Sequence, residues 1–184
     1  ADVIVGAQSV EIKLELTLEP LIAGIDLQGL DNTNAAPQDQ AARNTVLRAM
    51  PPDQLERELR RAWPDLRGGF IIRAGDTALL PDIAAVTIPP PGDIELPRDS
   101  LLVLTADLPA GTDPVTVGWE ARFGALILRQ AGGGDTAYSA LLAGGQSSEP
   151  LPRAGFATED AGTVFARFLM QGFEHIIPKG ADHI

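Results

Sequence analysis

Cysteine is absent from all 184 residues, which removes disulfides, thiolate metal sites and cysteine nucleophiles together. Histidine is almost absent: the chain has 2, His175 and His183, both within its last ten residues. No Ser-His or His-carboxylate machinery can therefore be assembled from residues 1–174. Basic residues are scarce, with 14 Lys and Arg against 25 Asp and Glu and a formal net charge of −11. Such a field repels polyanions, which argues against nucleic-acid binding and disfavours peripheral attachment to anionic lipid. Long apolar runs are missing too. The stretch 165–177 is interrupted by Arg167 and Glu174 and falls short of the roughly 20 apolar residues that span a bilayer.

What is present is an ordinary globular composition, 45% hydrophobic and 21% charged, sufficient for one core. The 15 prolines and 19 glycines punctuate short apolar runs, the pattern of a β-rich chain. The chain opens at Ala1 on strand-like ADVIVGAQSVEIKLELTLEP, with no charged region followed by an apolar one, and reads as a mature exported protein.

In SVEIKLELTLEP, Val10, Ile12, Leu14, Leu16 and Leu18 alternate with Glu11, Lys13, Glu15, Thr17 and Glu19. This is period two, a strand with one dry and one wet face. The period changes after DNTNAAP. DQAARNTVLRAM and PDQLERELRRAW carry helix formers, Pro52 suits a first helical turn, and Leu55, Leu59 and Trp63 make a stripe that predicts a helix ending before Pro64. From residue 69 the strand pattern returns in GFIIR, TALL, AAVTI, SLLVLTA, PVTVGW, ALILRQ and YSALLAG.

The expectation is a mainly β fold, an immunoglobulin-like β-sandwich with a two-helix insertion and a C-terminal helix. Residues 1–150 form the sandwich domain, with the helical insertion at about 38–63. IPPPGDIELPRD is an extended connection, because proline lacks the ladder donor. GGQSSEPLPRAG, 144–155, reads as a linker, and TEDAGTVFARFLMQGFEHII as a helix capped by Thr158. Residues 151–184 thus form a linker and helix, which on the resemblance given below leads into a first transmembrane segment.

Candidate chemistry in the sandwich is thin. Asp93 with Glu95, or Glu159 with Asp160, are carboxylate pairs with nothing to split their roles, and read as solvated acids. GDIELPRDS reads as an ion-pairing loop, since its spacing matches no calcium loop. GGGDT, 132–136, lies between two strands and reads as a hairpin turn rather than a phosphate loop. Trp63 and Trp119 read as core. The domain is expected to be no enzyme and to hold no cofactor.

The tail is different. His175, Asp182 and His183 combine imidazole and carboxylate, a donor set suited to borderline divalent metals. Pro178 and Gly180 lie between them and break a helix there. The segment FARFLMQGFEHIIPKGADHI resembles the start of the membrane region in the HupE/UreJ-like family of bacterial membrane proteins. In that family a G-F-E-H-I-x-P-K-G-x-D-H-I stretch leads into the first transmembrane helix. Gly172, Phe173, Glu174, His175, Ile176, Pro178, Lys179, Gly180, Asp182, His183 and Ile184 match it. ADVIV, LIAGID, MPPDQLE, GDIELPRDS, VTVGW and LLAGGQSSEP are similar to the extracytoplasmic domain that precedes this region in one branch.

The resemblance implies the periplasmic domain of an inner-membrane protein, cut just inside its first transmembrane helix. It implies a parent engaged in nickel or cobalt transport or metal-linked assembly, with His175, Asp182 and His183 as metal ligands. Partners expected on this reading are the membrane, a divalent metal such as Ni or Co and a periplasmic protein. The alternative from another class is a free-standing periplasmic ligand-binding or adhesion sandwich without a transport role.

Overall fold

The computed structural model describes residues 1–30, 32–132 and 137–153. It is mainly β, with two sheets and few helices. The strands are β1 (Asp2–Val5), β2 (Ser9–Thr17), β3 (Phe70–Ala74), β4 (Thr77–Leu79), β5 (Asp82–Thr87), β6 (Asp99–Asp107), β7 (Val115–Trp119), β8 (Leu126–Gln130) and β9 (Ser139–Leu142). The larger sheet has the order β5-β6-β2-β1-β8-β9 and the smaller β4-β3-β7. All pairings are antiparallel except β1 with β8.

β2 and β6 are the spine, paired from Ser9 opposite Asp107 to Thr17 opposite Asp99. The alternation in sequence sets their faces. Val10, Ile12 and Leu14 point into the core with Leu102, Leu104 and Ala106, while Glu11 and Lys13 face water as a 3.4 Å pair. The smaller sheet contributes Phe70, Ile72, Val115 and Val117 to the same apolar cluster, so both sheets share one core. Each such side chain, once buried, contributes about 1.5–3 kcal/mol of transfer free energy.

The strand pattern does not continue through Leu18. The chain turns there into helix α1 (Leu18–Ala23), whose residues are all buried. Gly24 ends it in the left-handed region at φ 76°, and Ile25 N–H reaches back to the Pro20 carbonyl at 2.9 Å. Helix α2 spans Gln38–Arg48 and α3 spans Pro52–Leu66. The α3 helix runs through Pro64 instead of stopping before it. Pro64 lies on the exposed side, and Leu66 extends the buried stripe of Leu55, Leu59 and Trp63. Trp63 and Trp119 are both buried, at the two ends of a ring chain: Trp63–Phe70 and Phe70–Phe123 centroids are 5.4 Å apart, Phe123–Trp119 5.9 Å.

The segment with linker composition is docked as far as Leu151. Ser147 bridges Gly118 and Leu151 bridges Val115, so 147–151 runs antiparallel along the free edge of β7. The Val117 N–H donates to Ser148 Oγ at 3.0 Å, and the fit requires glycine at 118, where a Cβ would stand 2.3 Å from the Gln146 carbonyl oxygen. Its polarity misled composition-based reading, because an edge segment satisfies itself through main-chain bonds and one buried leucine. Arg153 then fastens the β6–β7 loop, donating to the Asp113, Pro109 and Gly111 carbonyls. The expected C-terminal helix lies outside the described residues.

Candidate functional site

A buried ion pair organises one end of the molecule. Glu19 in α1 is fully buried, and Arg98, at the end of the proline-rich connection, reaches its Oε1 through Nε at 2.9 Å and Nη2 at 2.7 Å. The remaining guanidinium hydrogens go to carbonyls: Nη1 to Met50 at 3.0 Å and Pro89 at 3.4 Å, Nη2 to Leu47 at 3.3 Å. All five donors are used. The arginine of GDIELPRDS does pair, but with Glu19, 79 residues away, and not with its own loop. Asp93 accepts from the Glu95 N–H at 3.0 Å as a local turn, and both side chains stay exposed.

This pair ties α1, the α2–α3 corner and the 88–98 connection together, and a cleft of about 380 Å³ opens among them. Its apolar wall comes from Leu16 near the end of β2, Leu21 of α1 and Leu27, and from Trp119 at the end of β7 and Phe123 beyond it. The Trp119 Nε1–H is engaged by the Gly124 carbonyl at 2.8 Å, which fixes the ring as wall. The polar side consists of Asn32, Thr33 and Asn34 in a short turn, Arg48 at the end of α2, and Glu95.

Arg48 holds that polar side in place. Its Nη1 donates to the Ile94 and Glu95 carbonyls at 3.1 and 3.3 Å, and its Nη2 to Thr33 Oγ1 at 3.4 Å. Asn44, buried on α2, donates to the same hydroxyl at 3.2 Å. Among the described residues no carboxylate pairs with Arg48, and its Nε has no acceptor. A second cleft of about 330 Å³ also has arginines in its wall: Arg61 and Arg122 there are paired with Glu58 and Glu120, and Arg43 forms no ion pair among the described residues. The first cleft therefore offers hydrogen-bonding groups, one unpaired cation and one carboxylate around an apolar floor, the composition of a ligand site.

The sequence-based metal ligands His175, Asp182 and His183 lie outside the described residues, as do Glu159 and Asp160. Among the described residues no group of three or more Asp or Glu is placed to hold a metal ion, and no helix is long and apolar enough to cross a membrane. Sequence reasoning did not find Arg48 or the 32–34 turn, because they converge only when α2 folds back on α1. The legible signal was the Asn- and Thr-rich DNTNAAP just before a helix. Comparison of the chain with protein-family models, with curated proteins and with solved structures finds no match.

Proposed function

We propose that the chain is the extracytoplasmic binding or assembly domain of a membrane protein resembling the HupE/UreJ-like family, and that its fold is immunoglobulin-like. The strand order supports the fold reading. The sequence β1-β2-β6-β5 within the larger sheet follows the A-B-E-D order, and β4-β3-β7 followed by 147–151 follows C′-C-F-G. On this mapping the three helices occupy the B–C connection and the β8–β9 hairpin is inserted between F and G, widening the first sheet.

The observation that carries the binding role is the position of the cleft. Its lining comes from the B–C, D–E and F–G connections, which meet at one pole. B–C and F–G are two of the loops that bind antigen in immunoglobulin variable domains. Fold alone assigns no ligand, so the role rests on the cleft's chemistry. Leu151 lies beside Val115, at the opposite end of β7 from Trp119. The last described residues thus lie at the far pole, and on this reading a membrane segment following them is expected on that side, with the cleft facing away from the bilayer. No catalytic role is assigned.

The metal half of the proposal rests on the tail, where GFEHIIPKGADHI supplies His175, Asp182 and His183 as ligands for nickel or cobalt. It is tested by uptake of either ion into cells producing the full-length parent, against the variants His175→Ala and Asp182→Ala at equal membrane abundance. Loss of at least about tenfold, equivalent to ~1.4 kcal/mol of coupling, is expected for each. Unchanged uptake in both variants would overturn the transport role and leave a binding domain alone.

A further inference from the structure

We infer that the cleft binds a zwitterion with an apolar side chain, of amino-acid or short-peptide type, taking its carboxylate on Arg48 and its ammonium on Glu95. This rests on reading the cleft as the recognition site and is independent of the metal ligands in the tail. Three observations converge on it. Arg48 is a half-buried cation in a chain of net charge −11, yet no acid among the described residues pairs with it and its Nε lacks an acceptor. Its Nη1 is held by two carbonyls of the 94–95 loop and its Nη2 touches Thr33. Nε is buried without an acceptor, and the second Nη2 hydrogen, beyond the one on Thr33, is the donor left at the cleft to meet a carboxylate.

Glu95 is the second observation. It lines the same cleft, its main-chain oxygen already accepts from Arg48, and its carboxylate forms no ion pair among the described residues. A purely anionic ligand would meet repulsion there, whereas a ligand bearing both charges is matched at each end. The third is the floor of Leu16, Leu21, Leu27, Trp119 and Phe123, which takes an aliphatic side chain by burial of apolar area. A volume of about 380 Å³ suits one or two residues. Zwitterions also escape the protein's overall field, which would repel a simple anion.

The test is titration of the protein with leucyl-leucine, its C-terminal amide, its N-acetyl derivative and free leucine. It is followed by Trp119 fluorescence in a Trp63→Phe background and by calorimetry. Leucyl-leucine is expected to saturate, with the amide and the N-acetyl form each at least tenfold weaker. Free leucine that binds as tightly assigns the site to amino acids, and leucine that fails assigns it to peptide ends. Equal affinity of all three dipeptide forms, or no saturation by any of the four compounds, overturns the inference. Because Arg48 also braces the 94–95 loop, the blocked ligands carry the test without altering the protein. The variant Glu95→Gln should weaken leucyl-leucine but not the N-acetyl form, whose repulsion by Glu95 it relieves. A failed metal-uptake assay leaves these results untouched.

Discussion

At the scale of single residues, the most consequential choice is a charge placed where almost everything else is apolar. Glu19 sits in a helix whose other residues are Leu, Pro, Ile and Ala, all buried. Its partner Arg98 is fully hydrogen-bonded, but Glu19 Oε2 has no partner among the described residues. A pair of this kind contributes little net stability against a hydrophobic replacement, yet losing one member strands the other in a dry site. Glu19→Leu is therefore expected to destabilise the domain by about 3–5 kcal/mol in urea unfolding. Adding Arg98→Met should restore a large part of that loss. If the double variant proved as unstable as the single, the carbonyl contacts of Arg98, and not the ion pair, would be what holds the 88–98 connection.

Elements show where sequence was legible and where it was not. The long strands were readable because β2 and β6 are dry on one face and wet on the other, so period two survives in the residue order. Helix α3 was readable from the Leu55, Leu59, Trp63 stripe. What stayed hidden has a common cause: each hidden piece takes its structure from a partner distant in sequence. Helix α1 continues the alternation of β2 by one residue and is fixed by burial against α2 and α3. Residues 147–151 look like a linker until β7 supplies their bonding partners. The cleft was hidden for the same reason, since Arg48 and Glu95 meet only through tertiary contacts. The docked edge makes a sharp prediction. Leu151 is fully buried, so Leu151→Ala should cost about 2–5 kcal/mol. A chain ended after Gly145 should lose cooperative unfolding, whereas one ended after Arg153 should keep it. Equal melting of the two shortened chains would mean that 147–151 only lies against the sheet without stabilising it.

For the whole molecule, the two ends of the main sheet carry different groups of residues. Nine residues of β2 and β6 separate them, about 30 Å at ~3.3 Å per residue. One end gathers the helices, the buried ion pair and the cleft, with Ile94 and Leu96 left exposed on its rim. The other gathers the β6–β7 loop and Arg153, the last described residue. If the parent is a membrane protein as proposed, the second end is the one expected to face the bilayer. The lack of cysteine gives a clean background for measuring this. Single variants Leu96→Cys at the cleft end and Thr112→Cys in the β6–β7 loop each add the only thiol to this chain, both at exposed positions. The full-length parent, with any cysteine of its own replaced, would be labelled with a fluorophore and reconstituted in vesicles with headgroup spin-labelled lipid. Strong quenching is expected at 112 and weak quenching at 96, because quenching needs close approach to the headgroups. The reverse order would place the cleft against the membrane, where a soluble zwitterion reaches it only from the side, and the recognition end would have to be sought in the β6–β7 loop instead.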